Sequence, residues 1–126
     1  MRGTVLIVED CEHSATPLEI ALAQLTDLRV LTVSAAAEAL KLLANEDCRI
    51  AAVVTDLNLP KMDGFELIEK IRRLQRYAAL PIVVVSGDGD PGTRERVLRL
   101  GANAYYPKPY SPADVRKALE DLIYAP

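Results

Sequence analysis

At 126 residues, half of them apolar, the chain is long enough to bury one core and too short for two domains. Fifteen basic against eighteen acidic residues leave a net charge of −3, which argues against binding nucleic acid through bulk charge. The longest apolar runs have the length of strands, so none is expected to span a bilayer, and no signal-peptide pattern opens the sequence. The expectation is a single cytoplasmic domain over residues 1–126.

Thr4-Val5-Leu6-Ile7-Val8 is a continuous apolar, β-branched run ending in Glu9-Asp10, a pattern suited to a strand covered on both faces. Thr16-Pro17-Leu18-Glu19 reads as a capping box with proline at the first helical position. Leu18, Ala21, Leu22 and Leu25 then share one face of a first helix. Arg29 to Val33 is a short second strand, and Ser34 is placed to cap an Ala-rich second helix with Leu40 and Leu43 inward. Ile50 to Thr55 is a third strand, and it too stops at an acid, Asp56.

The second half keeps the same rhythm. Leu67, Ile68, Ile71 and Leu74 form the apolar stripe of a third helix, with Glu66, Glu69, Lys70, Arg72 and Arg73 on its wet side. Pro81 to Val85 is a buried fourth strand that ends at Ser86-Gly87. A loop from Gly87 to Gly92 leads into a short helix, Thr93 to Leu100, stopped by Gly101. Ala104-Tyr105-Tyr106 is a brief fifth strand followed by Pro107-Lys108-Pro109. Ser111-Pro112-Ala113-Asp114 opens a last helix that buries Val115, Ala118, Leu119, Leu122 and Ile123.

Strands alternating with helices predict an α/β fold, a doubly wound parallel sheet with helices on both faces. The fifth strand runs into Pro107, which cannot donate to a ladder, so it belongs at an edge. That favours the five-stranded, flavodoxin-like order 2-1-3-4-5 over the six-stranded dinucleotide order. Ligands of such sheets bind beyond the carboxyl ends of the strands. Function is therefore expected from Glu9-Asp10, Asp56, Ser86-Gly87 and the region of Lys108.

The chemistry of these residues is coherent. Carboxylates crowded together raise one another's pKa unless a cation joins them. Hard oxygen ligands without His or Cys suit Mg²⁺, which keeps several waters and often takes a phosphate oxygen. Lys108 supplies a point charge for a phosphoryl oxygen, Ser86 a hydroxyl donor, and Gly87 backbone room. A carboxylate can itself attack phosphorus, giving an aspartyl phosphate.

The set Val8-Glu9-Asp10, Thr55 to Gly64 (TDLNLPKMDG), Ser86, Gly101 to Tyr105 (GANAY) and Lys108-Pro109 resembles the receiver domain of two-component response regulators. The resemblance, close to that of chemotaxis regulators, covers essentially the whole chain. It implies a phosphorylation-dependent switch in which Asp56 accepts a phosphoryl group from a histidine kinase or phosphotransfer protein. By the same similarity, Asp10 and Asp56 would ligate Mg²⁺, with the backbone carbonyl of Asn58 and with Glu9 through water. Ser86 would turn toward the phosphoryl group, and Tyr105 would follow it as an aromatic switch. A cis peptide before Pro109 would aim Lys108 at the site. The resemblance further implies self-catalysed transfer and autodephosphorylation in place of enzyme turnover. The face of helix four, strand five and helix five would then signal to a downstream protein or fused output domain, with a homodimer through that face as an option. Leu59 departs from the commoner methionine, and Pro17 lies where the first helix of the family is usually under way, so that helix either starts late or bends. A late start would lengthen the loop from Cys11 to Ala15.

Rival readings are weaker on particular residues. A haloacid-dehalogenase-type phosphatase needs a second acid two residues after its nucleophile, where this chain has Asn58. An FMN carrier of flavodoxin type needs a hydroxyl- and glycine-rich loop after strand one, where this chain has Glu9-Asp10-Cys11-Glu12. Gly87 to Gly92 fits G-x-G-x-x-G, but Asp88 and Asp90 would repel a pyrophosphate. Asp56-x-Asn58 opens like a calcium loop, yet Pro60 and the missing glycine break that pattern. Cys11 and Cys48 fall at opposite strand ends, too far apart to pair, and the acids beside Cys11 are expected to disfavour its thiolate. His13 reads as solvated, and Tyr106 and Tyr110 as surface or packing residues.

Overall fold

Residues 3–87 and 89–124 are described by a computed structural model. Within them five parallel strands make one sheet: β1 (Gly3–Val8), β2 (Leu28–Val33), β3 (Ile50–Asp56), β4 (Ile82–Ser86) and β5 (Ala104–Pro107). Their order is β2-β1-β3-β4-β5, with β5 at an edge as its proline requires. The helices are α1 (Glu12–Leu22), α2 (Ala36–Ala44), α3 (Gly64–Arg73), α4 (Thr93–Leu100) and α5 (Pro112–Ile123), with a 3₁₀ turn at Gln75–Tyr77. Met1, Arg2, Asp88 of the glycine-rich loop, Ala125 and Pro126 lie outside the described residues.

Alternation along each central strand divides the core in two. Leu6, Val8, Val53 and Val84 meet Ala39 and Leu43 of α2, Leu67, Ile68 and Ile71 of α3, and Val97 of α4. Val5, Ile7, Val54 and Val83 face the other way, onto Leu18 and Leu22 of α1 and Val115 and Leu119 of α5. Each such side chain, taken wholly out of water, contributes about 1.5–3 kcal/mol, which is why the central strands read as unbroken apolar runs. No helix of the described residues is long and apolar enough to cross a membrane. Both cysteines are free thiols.

Four sequence expectations need correction. Helix α1 starts at Glu12, not at Thr16, so Pro17 lies inside it and the preceding loop is not lengthened. Burial of Ala15 together with Leu18, Ala21 and Leu22 holds that first turn helical, and Cys11 closes it by accepting the N–H groups of Ser14 and Ala15 on its carbonyl. The Thr16 hydroxyl turns back to the Glu12 carbonyl at 3.0 Å instead of capping. Ser34 likewise does not cap α2: Ala35 holds that position, and the Ser34 hydroxyl donates to Glu38 Oε1 at 3.2 Å. Arg72 is not on the wet side of α3 but is drawn inward against the start of β5. The start of β4 also moves, to Ile82, because Pro81 can offer only its carbonyl, which accepts from Val53 N–H at 2.9 Å.

Candidate functional site

Register decides which residues meet. Val8 pairs with Thr55, Asp56 with Val85, and Ser86 with Pro107. The next residues along the ladder therefore emerge side by side at the carboxyl ends: Glu9 after β1, Asp56 closing β3, Ser86 closing β4 and Lys108 after β5. A bond from Lys108 N–H to the Ser86 carbonyl, 2.7 Å, carries the pairing past the last strand residue. The Lys108–Pro109 peptide is cis.

Lys108 is the hinge of the charge arrangement. Its Nζ donates to Asp56 Oδ2 at 2.6 Å and to Glu9 Oε1 at 2.9 Å, joining two carboxylates that are otherwise buried. Desolvation alone would pull the ammonium down, but the hydrogen bonds and charges of Asp56 and Glu9 outweigh it and push Lys108 well above the usual lysine range. The opposite balance holds at Glu9. Burial lifts its carboxyl above the usual range, the Asp56 charge adds to that, and Lys108 recovers only part of the loss. The second oxygen of Asp56, Oδ1, accepts the Asn58 N–H at 3.1 Å, so the carboxylate is fixed from two sides.

The remaining predicted residues fall around this pair. Asp10 and Asn58 are exposed on the rim, and Ser86 is fully buried beneath it. Tyr105 is buried in the core under α4, with the Arg94 guanidinium carbon 5.2 Å from its ring centroid. A side chain at Gly87 would meet nothing within 4 Å, so crowding does not explain that glycine. At Cys11 the sequence reading is reversed: backbone and side-chain hydrogen bonds from Ser14 lower the exposed thiol's pKa against the charge of Glu9. Beside Lys108 opens a groove of about 420 Å³, walled by His13, Ser14, Pro17, Pro109, Tyr110 and Pro112.

The donor set suits a hydrated hard cation. The predicted metal-ligating groups beside Asp56 are all oxygens, with the Lys108 ammonium on Asp56 Oδ2, and among the described residues no three acids, histidines or cysteines already form a cage. Such a site fits Mg²⁺, which binds through one or two carboxylates and keeps waters for the rest of its octahedron.

Two contributors were not singled out from sequence. Gly64 opens α3 so close to the site strand that a Cβ there would lie 2.4 Å from the Asp56 carbonyl and 2.7 Å from Leu57 Cα. Its N–H donates to the Leu57 carbonyl, and Asp63 caps the helix by accepting Glu66 N–H at 2.9 Å. An Asp-Gly pair just before an amphipathic stripe was the available signal. Lys61 sits at φ +67 between Pro60 and Met62, whose carbonyl and N–H meet at 2.7 Å in a three-residue turn. The matched run Thr55 to Gly64 contains Lys61, but nothing in it pointed to a positive φ.

A family model described as the response regulator receiver domain matches residues 5–120. A chemotaxis protein CheY homolog of Campylobacter jejuni is 32% identical over 120 residues, covering 94% of this chain and 91% of its own. Chemotaxis protein CheY1 of Helicobacter pylori is 31% identical over 120 residues, with 94% and 95% covered. Among solved structures, the phosphorylated cyanobacterial phytochrome response regulator RcpA superposes with a TM-score of 0.82 at 26% identity, over 99% of this chain and 96% of that one.

Proposed function

The chain belongs to the response-regulator receiver family of two-component signalling, and on that premise we propose that Asp56 is its phosphoryl acceptor within a single receiver domain spanning residues 1–126. The observation that carries this reading is the Lys108 ammonium held between Asp56 and Glu9 at the carboxyl ends of the sheet. A phosphorylated relative of the same fold supports it.

The nucleophile is an Asp56 carboxylate oxygen. It bonds to phosphorus as the bond from phosphorus to a donor histidine nitrogen breaks, and the electron pair of that bond leaves with the imidazole. Lys108, protonated throughout the physiological range, moves its charge from the carboxylate to a phosphoryl oxygen, where negative charge accumulates. Ser86 contributes a hydroxyl to a second phosphoryl oxygen. Asp10, Asp56 and the Asn58 carbonyl would hold Mg²⁺, with Glu9 acting through water, and the ion supplies further charge stabilisation when bound. Water later hydrolyses the acyl phosphate, so the domain takes and loses its phosphoryl group by its own chemistry.

The groove beside Lys108 gives a histidine kinase or phosphotransfer protein an apolar approach to that nucleophile. Ser86 and Tyr105 then respond to the phosphoryl group, and the face of α4, β5 and α5 shifts between populations of different affinity for a downstream protein, a fused output domain or a second copy. Intact mass after acetyl phosphate with Mg²⁺ tests the reading. Wild type gains one phosphoryl group and Asp56→Asn gains none; a wild type that gains nothing and fails to bind beryllofluoride sinks it.

A further inference from the structure

The sheet has two edges, and they are finished differently. At one, β5 is four residues long and ends in Pro107, which takes a donor out of the ladder. At the other, β2 runs six residues in unbroken register with β1, from Leu28 beside Gly3 to Val33 beside Val8. It carries no proline, lysine or bulge, the devices that keep a strand edge from pairing with another chain. Among the described residues nothing pairs with its outer side.

Register also assigns the faces of this edge. Arg29, Leu31 and Val33 lie beside Thr4, Leu6 and Val8 and share their face, the one that α2 covers. Leu28, Val30 and Thr32 point to the face of α1. Leu31 is 40% exposed, one of three large apolar side chains left so open among the described residues. Arg29 is exposed on the same face and has no carboxylate partner among the described residues. Just past the other end of the strand, Glu38 takes only the Ser34 hydroxyl, at 3.2 Å.

We propose that β2 pairs with β2 of a second copy of this chain, antiparallel about a two-fold axis through Leu31, making one continuous ten-stranded sheet. An axis normal to the sheet keeps each face, so residues of one face come opposite each other. Leu31 then meets Leu31 of the second copy, and Arg29 lies opposite its Val33, one residue before Ser34. The guanidinium is thereby directed toward Glu38 of the second copy, once at each end of the pair. That charge complementarity, repeated by the symmetry, selects a second copy over an unrelated strand. A six-residue edge is small beside the roughly 1,200–2,000 Å² of a stable complex, so the dimer is weak and depends on concentration. The carboxyl ends of the two sheets point in opposite directions and β5 lies at the far edge, so Asp56 and the face of α4, β5 and α5 stay open in both copies. The pairing does not rest on the phosphoacceptor reading.

Disulfide trapping of the full chain in a Cys11→Ser, Cys48→Ala background tests the register. Directly opposite residues have Cα atoms about 4.5–5.5 Å apart, within the roughly 7 Å a disulfide tolerates. Two copies of residue 29 would instead lie about 14 Å apart along the strands. Leu31→Cys should therefore form a linked dimer on the order of tenfold faster than Arg29→Cys alone. A mixture of Arg29→Cys and Val33→Cys should link the two to each other faster than either links to itself. In sedimentation, the mass of the wild type should rise with concentration toward twice that of the chain. Leu31→Lys, which sets like charges on the axis, should hold it at the monomer. Asp56→Asn should pair as the wild type does, so a failed phosphoacceptor and a failed edge are read apart. Leu31→Cys that links no faster than Arg29→Cys overturns the pairing. So does a rise in mass that Leu31→Lys leaves in place, or a wild type that stays monomeric at millimolar concentration.

Discussion

Lys108 and Arg72 are both half-buried cations, one at each end of the same sheet, and they are held in contrasting ways. Lys108 has two charged partners, Asp56 and Glu9, and on the proposed reading it would exchange one of them for a phosphoryl oxygen. Among the described residues Arg72 has only neutral acceptors, three of its four bonds going to the backbone carbonyls of Gly101 and Tyr77. Burial lowers the Arg72 pKa with nothing to oppose it, whereas at Lys108 the carboxylates reverse the effect of burial. The residue types match the tasks. A lysine is a flexible point charge that can follow a moving anion, and an arginine is a planar fork that fixes geometry. The cation proposed to follow a phosphoryl group is paired with charge, and the cation that joins four elements is paired with neutral oxygens.

The contrast breaks first at Lys108. Lys108→Ala removes the charge that would follow the phosphoryl group, and the rate of phosphorylation from acetyl phosphate should fall on the order of a hundredfold, in line with loss of one preorganised donor to a transition state. Stopped-flow phosphorylation at saturating Mg²⁺ measures it. A rate within a few-fold of wild type would mean that Lys108 serves the resting state alone. Arg72→Met should leave that rate unchanged and instead cost about 2 kcal/mol of unfolding free energy, because the Gly101 carbonyl loses both guanidinium donors and the Tyr77 carbonyl keeps only Leu80 N–H. Urea titration of the two variants side by side gives the comparison. If Lys108→Ala is the less stable of the pair, the division of labour is wrong.

Legibility followed the same division. The unbroken apolar runs and the acids that end them put the sheet order and the Asp56 end within reach of sequence, because parallel strands must bury both faces and ligands bind at their carboxyl ends. Pro107 even located the edge strand. Arg72 was misread because the periodicity of α3 ranks a residue by its Cα position, and a long side chain at the margin of the stripe can turn inward to acceptors supplied 29 residues later, at Gly101. Pro17 misled for a related reason. Local proline chemistry pointed to a helix start, while burial of Ala15 one turn ahead of Leu18 carried the helix through it. Gly64 stood in the matched run as a helix start, but its close approach to the Asp56 carbonyl is a tertiary distance that no local pattern contains.

The smallest effect separates charge pairing from burial at Glu9. Its carboxyl titrates near 4.5 when the chain is unfolded and higher in the folded site, where burial is the leading cause. Between those two values the folded state holds the proton that the unfolded state has released. Stability therefore falls as pH rises through that window and levels off above the folded pKa. Lys108 does not contribute to this slope, since a raised lysine pKa loses its stabilisation only at pH beyond the ordinary lysine range. Glu9→Gln keeps an oxygen within reach of Lys108 and removes the titration. The unfolding free energy of wild type minus that of Glu9→Gln, measured with EDTA from pH 4 to pH 8, should decline by a modest amount and then flatten. A difference that grows with pH would show that pairing with Lys108 outweighs burial, and that Glu9 holds the resting lysine as firmly as Asp56 does.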